Sequence, residues 1–194
     1  MAPPRKHETD VILDAARDLV LRGGPRAAGV AAIAEASGAP VGTLYHRFGN
    51  RDGILSAIWL RALDRFQSRA MAAGADSSLE SAVAMAVSAI DFALEFGDDA
   101  RLLLTIRPAD LIDADTGGEL AEAIRTRNIP LSARIREFAI ELYGADDPRS
   151  VDAVTRAVVD LPYSAVRRHS GHVPPWLAGD LATAVRALLA CYQP

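Results

Sequence analysis

An all-α chain of about nine helices is what this sequence predicts, and three observations predict it. Half of its 194 residues are apolar but only 6% are aromatic, and long Ala/Leu/Val/Arg/Glu stretches favour helix over strand. Apolar residues recur at helical spacing in one segment after another. Gly, Pro, Ser and Asn then punctuate those segments where helices stop and start.

Taken in order, residues 8–22 place Ile12, Ala16, Leu19 and Val20 on one helical face, with Asp14, Arg17 and Asp18 elsewhere. Gly23-Gly24-Pro25 ends this helix with glycine as C-cap and proline just beyond. A second helix over about 29–37 packs Val30, Ile33 and Ala34 and stops at Gly38. The stretch "GAPVGTLYHRF", residues 38–48, reads as a turn and a third short helix, since Leu44 and Phe48 have the spacing of one buried face. Asn50 caps a fourth helix that carries Ile54, Leu55, Ile58, Trp59, Ala62 and Phe66 to about residue 72. Ser77 or Ser78 caps a helix over about 78–96, and Asp98 and Asp99 suit the start of the next one after Gly97. Pro108 interrupts or kinks that helix. Further helices are expected over about 119–142, which contains Pro130, then 148–168 and 175–192.

Charge and cysteine content narrow the function classes. The net charge is −4, yet residues 1–55 hold seven Lys+Arg against six Asp+Glu, near +1, leaving the remainder near −5. This permits a DNA-binding end on an otherwise acidic chain. One cysteine, Cys191, rules out an intrachain disulfide and points to a reducing compartment. The opening "MAPPRKHETD" has no apolar signal core, and no run approaches the ~18 apolar residues of a membrane span. The expectation is a cytoplasmic protein without a membrane partner.

The third helix carries the chemistry. Two short helices joined by a tight glycine turn and braced by a third form a helix-turn-helix, here at about 29–48. Leu44 and Phe48 anchor its second member, while Thr43, Tyr45, His46 and Arg47 offer donors to phosphates and base edges. Gly42 removes a side chain where a groove wall comes close. Arg51 joins its own charge to the free N–H groups of a helix start, a good phosphate clamp.

The run from "ILDAARDLVLRGG" through "VAAIAEASGAPVGTLYHRFGNRDGIL" resembles the DNA-binding domain of the TetR family of transcriptional repressors. The resemblance covers residues 8–60 or so, and its most specific parts are "IAEASG" and "GTLYHRF", followed by a basic residue. It implies that Thr43, Tyr45 and Arg51 hold phosphates and that Val41, Gly42, His46 and Arg47 face the bases. Where the family often has Thr-Thr this chain has Ala28-Gly29, and Ala31 and Val41 stand where an arginine and a lysine occur in other members. Specificity is then expected from His46, Arg47 and groove shape, with Arg5 and Lys6 in a flexible N-terminal arm as further candidates.

The resemblance also implies a C-terminal helical domain that binds a small molecule and dimerises through its last two long helices. The expected domains are 1–55 for DNA and 56–194 for ligand binding and dimerisation. The last helix has Leu177, Leu181, Val185, Leu188 and Leu189, and its neighbour Val151, Val154, Val158 and Leu161. These suit a four-helix dimer interface or, alternatively, two internal core helices. Candidate ligand-binding residues are Phe92, Phe96, Leu103, Thr105, Arg107, Tyr163 and Trp176. Arg107 would meet an anionic ligand or else pair with Asp110, and Asp160 is a pocket or interface polar group or marks a kink at Pro162. "HSGH", residues 169–172, lacks the carboxylate or cysteine company of a metal site. Cys191 has no placed histidine and no serine sits in a nucleophile elbow, so neither an enzyme nor a cofactor is expected. The reading is a homodimeric regulator, most simply a repressor, that binds a pseudo-palindromic double-stranded operator and leaves it on binding a small-molecule effector. The alternatives are a small-molecule-binding or enzymatic helical protein retaining a non-functional helix-turn-helix, and an activator or nucleoid-type DNA binder.

Overall fold

The structure, a computed structural model, describes residues 5–111, 117–169 and 171–192, with side chains from Thr9. No strand occurs among the described residues, and the all-α expectation holds. The helices are α1 (Arg5–Gly23), α2 (Val30–Ser37), α3 (Val41–Phe48), α4 (Arg51–Ala72), α5 (Ser78–Glu95) and α6 (Gly97–Thr105). They continue as α7 (Pro108–Leu111), α8 (Gly117–Tyr143), α9 (Pro148–Thr155), α10 (Leu161–Arg168) and α11 (Leu177–Cys191). A 3₁₀ turn, Pro25–Ala27, precedes α2, and a π-turn, Arg156–Asp160, joins α9 to α10.

The punctuation works as its chemistry requires. Gly24 and Gly38 take φ of 75° and 69°, the left-handed conformation that lets α1 and α2 stop without a Cβ clash. Asn50 Oδ1 accepts the Gly53 N–H at 2.8 Å, closing the first turn of α4. Ser77 Oγ accepts from Glu80 N at the start of α5. Asp147, not singled out from the sequence, caps α9 through the N–H groups of Arg149 and Ser150, at 3.0 and 3.3 Å. Pro108 ends the preceding helix and opens α7. Pro162 has no N–H to donate and its ring crowds the carbonyl four residues back, and the wider π-turn just before it relieves both.

Two compact units emerge, one of residues up to Leu63 together with Arg101–Ile124, the other of Asp64–Ala100 together with Arg125 onward. This differs from a single boundary after residue 55, because the chain returns to the first unit in 101–124. The first unit buries Ile12, Leu13, Ala16 and Val20 of α1 with Ile33, Leu44, Ile54, Leu55, Ile58 and Ala62, and Leu102, Leu111 and Leu120 complete the cluster. Trp59 Nε1 donates to the Ile106 carbonyl at 3.2 Å, tying the returning segment to α4. Arg61 holds α4 to α1, with Nη1 3.1 Å from Asp10 Oδ1 and Nη2 2.6 Å from Asp14 Oδ1.

The second unit is built around α5, against which α10 and α11 pack. Leu177, Leu181, Val185 and Leu189 lie in this core, as do Val154 and Val158, while Leu188, Val151 and Leu161 are half-buried. The internal reading therefore applies to most of the apolar residues that the sequence put forward for dimerisation. What α11 presents outward is a set of small residues, Gly179, Thr183, Ala184, Ala187 and Ala190, with Arg186 among them. Arg186 makes a two-pronged ion pair with Glu80 at 2.7 and 2.6 Å. No helix among the described residues is long and apolar enough to cross a membrane.

Candidate nucleic-acid interface

At 3.6 residues per turn, the eight residues of α3 divide into an inner line, two edges and an outer arc. Leu44 forms the inner line and is fully buried. Val41, Gly42, Tyr45 and His46 fill a contiguous outer arc of about 140° and are all exposed. Thr43 and Arg47 lie on one edge of that arc, Phe48 on the other, and all three are half-buried. Of the seven residues expected to contact DNA, the four exposed ones thus share one outward face, with Thr43 and Arg47 beside it.

Gly42 has no internal reason to be glycine. A Cβ built there meets nothing within 4 Å, and its φ is not in the left-handed range. Gly53, by contrast, is required by the packing, and the sequence reading passed over it. A Cβ at Gly53 would sit 1.9 Å from the Phe48 carbonyl oxygen. Only glycine lets the first turn of α4 come so close to the end of α3.

Arg51 is placed differently from a free phosphate clamp. Its Nη2 donates to the Pro25 carbonyl at 2.5 Å and its Nη1 to Asp52 Oδ1 at 3.0 Å. The guanidinium thereby ties the turn before α2 to the start of α4, a structural duty that any phosphate contact must share. Arg47 reaches across to α1, where its Nη1 donates to Thr9 Oγ1 at 3.0 Å. Arg26, exposed on the same short turn that Arg51 grips, adds a positive charge beside this assembly. Arg5 and Lys6 belong to α1 by backbone, and their side chains lie outside the described residues.

The candidate ligand residues do not gather in one place. Leu103, Thr105 and Arg107 belong to the first unit, Phe92, Phe96, Tyr163 and Trp176 to the second. Within the second unit Phe92 stacks at 5.5 Å on Phe66 and 5.6 Å on Phe96, and the Arg65 guanidinium lies 5.4 Å from the Phe96 ring. Arg65 also donates at 2.7 Å to Asp99, whose side chain is 1% exposed, so this charge is buried with a partner. Tyr163 and Trp176 are exposed, Trp176 edge-on to His169. Arg107 is exposed and stands 3.8 Å from Asp110, the pairing considered beside the ligand reading. Asp160 is exposed, and its carbonyl accepts the Ser164 hydroxyl at 2.9 Å. An open cleft of about 400 Å³ in the second unit is lined by Leu79, Leu142, Tyr143, Leu189, Ala190 and Tyr192, none of them sequence candidates. Tyr143 donates to the Leu189 carbonyl at 3.1 Å, and burial pushes its phenol above the usual value. Among the described residues no group of His, Cys, Asp and Glu could hold a metal ion.

Comparison with known proteins places these features. Residues 12–58 match the sequence family described as bacterial regulatory proteins, tetR family. The HTH-type transcriptional repressor ComR of Escherichia coli (strain K12) is 28% identical over 137 residues, 70% of this chain and 65% of ComR. The match thus spans just under two thirds of that relative's length. The HTH-type transcriptional regulator AlkX of Mycobacterium tuberculosis (strain ATCC 25618 / H37Rv) is 28% identical over 186 residues, 93% of this chain and 82% of AlkX. A TetR-like transcriptional regulator from Rhodococcus sp. RHA1 has the same fold, with a TM-score of 0.72 over 97% of both chains at 19% identity.

Proposed function

We infer, from the premise that this chain belongs to the tetR family of bacterial regulatory proteins, that it is a DNA-binding transcriptional regulator whose α3 enters the major groove. One observation carries the reading. The outer arc of α3 displays Val41, Gly42, Tyr45 and His46 while Leu44 is fully buried beneath them, and Gly42 meets nothing in its own chain. A glycine that the fold does not use is explained by an external surface that comes close. Val41 offers apolar contact to a thymine methyl, His46 and Arg47 donors to base edges, and Thr43 and Tyr45 hydroxyls to phosphates. Arg51 acts first by fixing the start of α4, whose N–H groups favour a phosphate.

The finer reading is a homodimeric repressor released by a small-molecule effector held in the second unit. The small outward residues of α11 suit close approach of a second copy of that helix, and a two-fold dimer matches a pseudo-palindromic operator. ComR is named a repressor, which favours repression over activation. α4 is one helix of 22 residues that contributes to both units, so an effector that shifts its second half moves its first. Only the effector's differential affinity for the two states counts in this scheme.

The test is binding of the purified chain to the DNA flanking its own coding region, titrated with salt, for wild type and the double variant Tyr45→Ala/Arg47→Ala. Sequence-selective, salt-sensitive binding that the variant loses supports the reading. A chain that prefers no sequence, there or in a genome-wide selection, refutes it.

A further inference from the structure

Arg47 stands at the edge of the outer arc of α3, about 100° around the helix from His46. From that edge a long arginine side chain can turn toward the arc or away from it. The hydroxyl of Thr9, three turns before the middle of the first unit's α1 core, settles which: Arg47 Nη1 donates to Thr9 Oγ1 at 3.0 Å, linking residues 38 apart in sequence. Both side chains are half-buried, so the bond is partly shielded from competing water. The adjoining part of α1 is itself held to α4 by Arg61 on Asp10 and Asp14, which makes Thr9 a fixed support.

We infer that Thr9 is a positioning residue for Arg47, which makes α1 a determinant of which base pair this protein prefers. The inference rests on the reading of α3 as the helix that meets DNA. Guanidinium recognition of a guanine depends on a planar fork meeting two acceptors at once. A fork that is already oriented pays less ordering cost on docking, and one that swings freely settles as well on a neighbouring phosphate. Thr9 therefore acts on discrimination between sequences, while the charge of Arg47 alone would serve any sequence equally.

The experiment uses the full chain and a library of random duplexes, from which wild type selects its preferred sequence. Affinity is then measured on that duplex, on each single-base-pair variant of it and on a random duplex, for wild type, Arg47→Ala, Thr9→Val, Thr9→Ala and Thr9→Ser. Arg47→Ala identifies the base pair that Arg47 reads. Thr9→Val and Thr9→Ala are expected to lower the preference at that same base pair by roughly 2- to 12-fold, the ordering cost of one rotamer-rich side chain. Thr9→Ser, which keeps the hydroxyl, is expected to restore it. Wild-type preference in Thr9→Val and Thr9→Ala overturns the inference, and so does an equal loss on preferred and random duplexes, the mark of a merely structural bond. If wild type selects no sequence, the regulator reading itself falls and takes this inference with it.

Discussion

Replacing Gly42 by alanine is expected to strengthen the fold and weaken DNA binding in one step. The added methyl meets no atom within 4 Å and the backbone there has no left-handed φ, so nothing in the chain opposes it. Glycine within a helix is worse than alanine by roughly 0.5–1 kcal/mol, chiefly through the backbone freedom lost on folding. For a chain of this length that gain raises Tm by about 1–4 °C. The methyl projects from the outer arc between Val41 and His46, into the space that the groove wall would occupy. Forcing a methyl into a fitted contact typically costs about 1–3 kcal/mol, hence a loss of operator affinity of roughly 5-fold or more. Thermal unfolding by circular dichroism and anisotropy titration of a labelled duplex read the two effects separately. Opposite signs are the signature. If Gly42→Ala raised Tm and bound operator as tightly as wild type, the close approach inferred for this face would be wrong. If it lowered Tm, the open space around residue 42 would be wrong.

Three more outcomes follow from the same contacts. Gly53→Ala is expected to destabilise the chain by about 2 kcal/mol, because its Cβ lands 1.9 Å from a backbone carbonyl that cannot swing away; an unchanged urea midpoint would contradict the packing of α3 on α4. Arg51→Met removes the donor to the Pro25 carbonyl and should cost about 1 kcal/mol in chemical denaturation, with operator affinity falling as well; loss of affinity with no loss of stability would assign Arg51 to phosphate alone. Acid titration of stability should show the work of Asp147 and Glu80. The Ser150 hydroxyl and the Arg149 and Ser150 N–H groups lower the first, and the hydrogen bond from Arg186 lowers the second. Because both folded-state values lie below the unfolded ones, their stabilisation is complete above the ordinary carboxylate range and is lost as pH falls through that range toward the lowered values. In Asp147→Asn/Glu80→Gln the acid-side decline should be shallower, and an identical pH profile would refute the assignment.

Local signals in the sequence were the most legible. Leu44 and Phe48 revealed the inner side of α3, Gly38 the turn before it, and Asn50 the start of α4, because each acts within four residues of itself. Contacts that close over long distances in sequence were not. Thr9 carries no mark that it will meet Arg47, nor Pro25 that it will meet Arg51, since a single hydroxyl or carbonyl has no periodicity. The demand for glycine at 53 was hidden for the same reason: the clash is with Phe48 across a corner of the fold. The apolar residues of α11 were correctly read as buried, but the pattern says only that they leave water, and α5 of the same chain covers most of them. The ligand candidates scattered because apolar composition identifies interior residues without saying which of them share a cavity.

The core beneath α3 has a bearing on how such chains exchange parts. Neither α2 nor α3 has a side-chain cap, and at eight residues each both are shorter than helices that persist alone in water. Their support includes Leu102, Leu111 and Leu120, which arrive only after the chain has left for the second unit and come back. A recombinant that takes its first 63 residues from one relative and the rest from another would therefore join a reading head to foreign foundations. Swapping operator preference between such proteins calls for transplanting residues 101–124 along with the head, or for confining the exchange to the outer arc of α3. Inheritance by shuffling would face the same constraint, which makes point changes at positions 41, 42, 45 and 46 the open route to a new operator.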